Sequence, residues 1–180
     1  KKVSREAPKK ADYILYYNKN NPLAVVEAKD NNHSVSFGMQ QAMLYAQMLD
    51  VKFAYSSNGD AFQEFDFITG VEREIALDEF PSPEELFARY QKEINDGQGL
   101  SEAERTLINQ PYYTSQSTYP PRYYQQVAVN RTMDAIAKNQ NRILLVMATG
   151  TGKTYTAFQI VYRLLQSGIK QKILYLADRN

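Results

Sequence analysis

The sequence predicts a mixed α/β chain in two parts: a β-β-α-β-β unit, then a helical connector and a β-α-β unit. Three observations predict it. In the first 80 residues, short runs rich in Tyr, Ile, Val and Phe are separated by turn clusters, and one run at helical spacing interrupts them. Further on, the stretch Gly150-Thr151-Gly152-Lys153-Thr154 joins an apolar run to an amphipathic one. Charge is also segregated: residues 1–59 carry a net +3, residues 60–104 a net −10 and residues 105–180 a net +8, in a chain whose total is +1. Two basic regions around an acidic one read as two functional regions and a solvated connector.

Asp12–Tyr17 reads as a strand, Asn18–Pro22 as a turn cluster and Leu23–Lys29 as a second strand, so a hairpin is expected. Ser36–Asp50 is expected to be helical, with Ala42, Ala46 and Leu49 on one side. Val51–Ser56 and Ala61–Ile68 are strands about an Asn58-Gly59-Asp60 turn, and Glu72–Asp78 reads as one more. Pro81-Ser82-Pro83-Glu84-Glu85 opens a helix expected to reach Asn95 and to end at Asp96-Gly97-Gln98-Gly99. Ser101-Glu102-Ala103-Glu104 is a capping-box pattern. Gln110–Pro121 has no period and reads as a linker. Arg122–Asn139 is expected to be a helix, Arg142–Met147 a central parallel strand, Thr154–Gln166 a helix stopped by Gly168, and Lys172–Ala177 the next strand. The expected domains are 1–80, a connector over 81–121, and 122–180.

Apolar residues make up 43% and charged residues 23% of the 180, the balance of an ordinary globular protein. The longest apolar stretch, Ile143–Ala148, is far short of the roughly 20 residues that span a bilayer. The absence of cysteine excludes disulfide scaffolds and thiolate metal or redox sites. The chain opens on Lys1, Lys2, Arg5, Lys9 and Lys10 with no apolar leader, so a cytoplasmic location away from membranes is expected.

Two groups of residues carry chemistry. In Met147-Ala148-Thr149-Gly150-Thr151-Gly152-Lys153-Thr154, Gly150 and Gly152 allow backbone N–H groups to turn toward an anion at a helix N-terminus. Lys153 can reach the outer phosphates of a nucleotide, and the Thr154 hydroxyl can serve Mg²⁺. This stretch resembles motif I of superfamily-2 helicases and translocases. Arg122-Tyr123-Tyr124-Gln125-Gln126-Val127-Ala128 is similar to their adenine-recognising motif, and Ile173–Arg179 looks like the strand of motif Ia. The resemblance implies ATP binding by Gln125, with Arg122 nearby, and by Thr149, Gly150, Thr151, Gly152, Lys153 and Thr154. It also implies that the water-activating acids and the second motor domain lie outside these 180 residues.

The other group is Asp12 with Glu27-Ala28-Lys29. Period two puts Val25, Glu27 and Lys29 on one face of a strand, and a hairpin partner can bring Asp12 beside Glu27. Two neighbouring carboxylates invite Mg²⁺, and Lys29 can orient water or stabilise developing charge. On the following helix Gln41 and Tyr45 are i,i+4 neighbours. The set resembles PD-(D/E)xK nucleases of the RecB-like branch, whose QxxxY element supports the site or contacts DNA. By that resemblance Asp12, Glu27, Lys29, Gln41 and Tyr45 are the catalytic set, Asp12 and Glu27 the metal ligands, and the sheet a truncated α-β-β-β-α-β fold whose first helix and strand lie upstream. His33, in the polar loop Asp30-Asn31-Asn32-His33-Ser34, could approach a phosphate, although a lone loop histidine is ordinarily just solvated.

The order of the two regions, with the nuclease-like one before a RecA-like P-loop unit, resembles the restriction (R) subunit of type I restriction–modification enzymes. That resemblance implies ATP-driven translocation along double-stranded DNA, Mg²⁺-dependent non-specific cleavage, and modification and specificity subunits as partners. The alternatives are another nuclease–helicase fusion in repair or phage defence, or a non-catalytic binding scaffold with a decayed nuclease fold.

Overall fold

The computed structural model describes residues 10–94, 99–116 and 119–177. The chain divides into two compact units, one of Lys1–Leu15 with Leu23–Ser82, the other of Tyr16–Pro22 with Pro83–Asn180. The expected helix end at Asn95–Gln98 lies outside the described residues. Among those residues no helix is long and apolar enough to cross a membrane.

A five-stranded mixed sheet, most of it within the first unit, is ordered β1 (Tyr13–Asn18), β2 (Asn21–Ala28), β3 (Phe53–Ser57), β4 (Ala61–Asp66) and β5 (Val71–Ala76). A two-residue turn at Lys19-Asn20 joins β1 to β2, as the Asn-rich cluster predicts. β2 and β3 run parallel, which no tight turn can achieve, and helix α1 (Met39–Leu49) lies within the crossover. From β3 the chain returns antiparallel through β4 and β5, so Glu72–Asp78 does contribute a strand, followed by a single 3-10 turn at Leu77–Glu79.

Register decides which side chains meet. Val25 pairs with Ala54 and Glu27 with Ser56, so these four share a face of the sheet. α1 covers that face with Met39, Ala42 and Ala46, which pack with Val25, Val51 and Ala54. The small alanines let the helix approach the strands closely. Burying one Met- or Val-sized side chain there contributes about 1.5–3 kcal/mol.

The second unit holds α2 (Pro83–Ile94), α3 (Glu102–Asn109), α4 (Tyr123–Ala137) and α5 (Lys153–Gln166). The capping box at α3 forms as expected: Ser101 Oγ accepts from the Glu104 N–H, and the Ser101 N–H donates to the Glu104 carboxylate. Leu107, Met133 and Leu164 from α3, α4 and α5 make its core. Arg163 is fully buried beside them, donating to the carbonyls of Leu107 and Ile108 and to Asn130 Oδ1. It therefore supplies the C-terminal end of α3 with donors that the helix itself lacks. The aperiodic stretch 110–116 is tied down here: Tyr112 is buried with its hydroxyl on Asn130, and the Tyr113 backbone exchanges two hydrogen bonds with the Gln159 side chain.

Two strands expected from sequence find no partner strand among the described residues. Arg142–Met147 and Lys172–Ala177 carry no strand pairing. Leu144, Val146, Leu174 and Leu176 are each more than 80% exposed. These runs have the composition of a strand buried on both faces, but a strand exists only when a neighbour accepts and donates along it, and the described residues offer these two none. The helix between them forms as predicted.

Candidate functional site

At one end of the first unit's sheet, the hairpin turns two acids toward each other. The Asp12 N–H donates to Glu27 Oε1 at 3.4 Å, and the Ala28 N–H donates to Asp12 Oδ2 at 3.0 Å. Glu27 is fully buried, whereas Asp12 is exposed at the mouth. Lys29 Nζ lies 3.4 Å from Glu27 Oε2 and 3.3 Å from Gln41 Oε1. The Gln41 amide then donates to the Tyr45 hydroxyl at 3.3 Å. The five residues singled out from sequence thus form one unbroken hydrogen-bonded chain, Asp12–Glu27–Lys29–Gln41–Tyr45. Helical spacing explains its far end, because i and i+4 lie one above the other on α1.

Burial raises the Glu27 carboxyl above its usual range, and the negative charge of Asp12 raises it further; the Asp12 N–H and Lys29 only partly offset this. A site that resists two negative charges is one that a cation relieves. Among the described residues no group of three or more His, Cys, Asp or Glu could hold a metal. Two hard carboxylates suit Mg²⁺, which keeps several waters and is served by one or two carboxylates.

Sequence reading missed Ser56 and Gly38. Ser56 is buried beside Glu27 across the parallel register and accepts the Gly38 N–H on Oγ at 3.0 Å. A Cβ on Gly38 would stand 2.9 Å from Ser56 Oγ and 3.1 Å from both Glu27 Cβ and Lys29 Cε. Only the bare backbone fits against the site. A serine closing an apolar strand was the available signal, but its partner depends on register, which the sequence does not state. His33 instead bonds Asp30 through Nδ1 at 2.9 Å and packs on Phe37. That bond, with the Asn32 N–H, lowers the Asp30 carboxyl.

In the second unit, Gly150 (φ 79°) and Gly152 (φ 86°) take the left-handed conformation that suits glycine, turning the chain into α5 at Lys153. No side chain caps this helix start. Its first-turn N–H groups and dipole therefore face an open approach, with Lys153 and Thr154 exposed beside them. Thr149 is exposed, and Thr151 Oγ1 donates to the Ala148 carbonyl at 2.6 Å, tightening the loop. Gln125 reaches this loop from α4. Its Nε2 donates to the Thr151 carbonyl at 2.9 Å and its Oε1 accepts the Arg122 N–H at 2.9 Å. A cavity of about 230 Å³ opens here, lined by Tyr119, Arg122, Gln125, Gly150, Gly152 and Tyr155 among others.

The family model described as type III restriction enzyme, res subunit, matches residues 118–180. The chain is 48% identical, over 184 aligned positions covering all of it, to the EcoAI endonuclease subunit of a type I restriction enzyme from Escherichia coli, of which it spans 22%. It is 30% identical to the EcoKI endonuclease subunit of Escherichia coli K12, with 94% of this chain and 18% of that protein aligned. A solved fragment described as an HsdR subunit of a type I restriction enzyme from Vibrio vulnificus superposes with a TM-score of 0.80 at 44% identity, over 91% of this chain and 30% of that one. The chain belongs to the family of type I restriction enzyme endonuclease (HsdR) subunits. It spans about a fifth of the length of the curated relatives it matches.

Proposed function

We propose that the protein containing this chain is the endonuclease and motor subunit of a type I restriction enzyme, which moves along double-stranded DNA at the expense of ATP and cuts it non-specifically with Mg²⁺. Its partners in this reading are the modification and specificity subunits of the same complex. The first region, 1–80, is then the PD-(D/E)xK nuclease, 81–121 the connector, and 122–180 the start of the RecA-like motor. The observation that carries the reading is the continuous chain Asp12–Glu27–Lys29–Gln41–Tyr45.

In the nuclease, Asp12 and Glu27 would hold Mg²⁺. When bound, that ion supplies charge neutralisation at the scissile phosphate and a more acidic water. Glu27 is fixed by burial, so its oxygens have one direction in which to point. Lys29 stands with its cation beside the acids, where negative charge on a pentacovalent phosphorane would develop. Gln41, itself held by Tyr45, and Glu27 take two of the three Lys29 ammonium protons and leave one to face substrate.

In the motor, Lys153 and the N–H groups after Gly150 would hold the phosphates of ATP, and Thr154 a Mg²⁺ travelling with them. Gln125 would read the base. Its orientation is forced, because a backbone N–H only donates and a carbonyl only accepts. One donor and one lone pair remain for the cavity, and an adenine edge asks for both.

The test is cleavage of plasmid DNA by the full-length subunit with its partners, ATP and Mg²⁺. Glu27→Ala should abolish cutting and keep ATPase, whereas Lys153→Ala should abolish ATPase and translocation. Translocation by the Lys153→Ala enzyme would refute the motor assignment, and cutting by the Glu27→Ala enzyme the nuclease assignment.

A further inference from the structure

Two residues after the start of α5, Tyr155 turns its side chain to the cavity beside the phosphate loop. Its hydroxyl donates to the carbonyl oxygen of Tyr119 at 3.2 Å, across 36 positions of sequence. Tyr119 and Pro120 run along the cavity as a backbone strap, and the Tyr119 ring is 89% exposed. The strap is tied at its far end as well, where Gln126 Nε2 donates to the Pro121 carbonyl at 3.0 Å. Proline at 120 fixes one backbone angle between the two ties. Tyr155 is a firm anchor because the first turn of α5 is closed behind it, with the Thr156 N–H on the Gly152 carbonyl at 2.9 Å.

Gln125 and Gly152 line the same cavity, so close together that a Cβ on Gly152 would clash with Gln125 Nε2. The cavity is thus lined by a directed amide and by a backbone strap, and the amide suits a base edge that both donates and accepts. We propose that Tyr155 is a positioning residue of the nucleotide site: its hydroxyl holds the Tyr119–Pro120 wall of the base cavity to the helix that carries Lys153. The wall of the base cavity and the phosphate-binding Lys153 are then held by the same helix, and an adenine nucleotide gains from the wall what a bare polyphosphate does not. This inference rests on the ATP reading above.

The experiment uses the full-length subunit, with displacement of a fluorescent mant-ADP by ATP and by inorganic tripolyphosphate, and steady-state ATPase in the presence of DNA and the partner subunits. Tyr155→Phe keeps the ring and deletes the hydroxyl. It should raise the Kd for mant-ADP and the KM for ATP about fivefold, the size of one neutral hydrogen bond. It should leave kcat within about twofold and the tripolyphosphate affinity at the parental value, since neither draws on the wall. Parental KM in Tyr155→Phe, or an equal loss of affinity for ATP and tripolyphosphate, would overturn the inference. Failure of the parental protein to bind mant-ADP would overturn the ATP reading itself, a result separable from either.

Discussion

Gln125 and Thr151 are joined by a 2.9 Å hydrogen bond from the side-chain amide nitrogen to the loop carbonyl, and this bond, with the Arg122 N–H on the other end of the amide, prevents the group from flipping. One donor and one acceptor position of the amide then remain for a ligand in the cavity that Gln125 lines. Guanine would present an acceptor where adenine presents its amino group. ATP should be preferred over GTP by roughly tenfold or more, about 1.4 kcal/mol, and Gln125→Ala should erase most of that preference. Competition of the two nucleotides against mant-ADP measures it; an unchanged ratio in Gln125→Ala would exclude base reading by this residue.

Gly38 gives a second expectation. Its φ of −84° suits any residue, so the constraint there is space alone. A methyl group would press on Ser56 Oγ, Glu27 Cβ and Lys29 Cε together. Gly38→Ala should cost about 1–3 kcal/mol of stability by overpacking and reduce DNA cleavage at least tenfold while ATPase persists. Thermal unfolding and plasmid nicking on the same preparation test both parts.

The acids at the sheet end yield a third. Glu27 is buried against the charge of Asp12, and both effects disfavour its ionised form. Glu27→Gln removes that penalty and should leave the protein at least as stable as the parent in metal-free buffer. Millimolar Mg²⁺ should raise the Tm of the parent, by on the order of 1 kcal/mol of added stability at ten times the Kd, and leave the variant unmoved. Equal shifts in both would place the ion elsewhere.

Tyr112 supplies the pH dependence. Burial pushes its phenol up to about 12, with the Arg163 cation and the Asn130 hydrogen bond pulling the other way. A raised folded-state pKa means that the group favours folding fully below its unfolded value of about 10 and that this contribution is lost as pH climbs from there toward 12. The loss amounts to roughly 3 kcal/mol. Tyr112→Phe should cost about 1 kcal/mol near neutrality through the missing bond to Asn130 and should flatten the decline between pH 10 and 12. Denaturant midpoints across that range check it; an equally steep decline in the variant would assign it to another group.

Most elements, and the five residues of the acid–lysine chain, were legible because they rest on local rules. An apolar run after a turn cluster marks β2, helical spacing aligns Gln41 with Tyr45, and Ser101 with Glu104 announces its own cap. The same local rules leave Arg142–Met147 and Lys172–Ala177 without a partner among the described residues, since apolar composition states a need for neighbours without supplying any.

By itself, then, the sequence determined where helices and most strands form, which side chains share a face, and where glycine must turn the chain ahead of Lys153. Only the tertiary structure decided that Ser56 lies beside Glu27, that Gly38 must stay bare, that Tyr155 holds the Tyr119 carbonyl, and that Arg163 is buried on the end of α3. Those relations depend on strand register and on contacts between residues tens of positions apart. They are fixed by the packing of whole elements against one another rather than by any spacing along the chain.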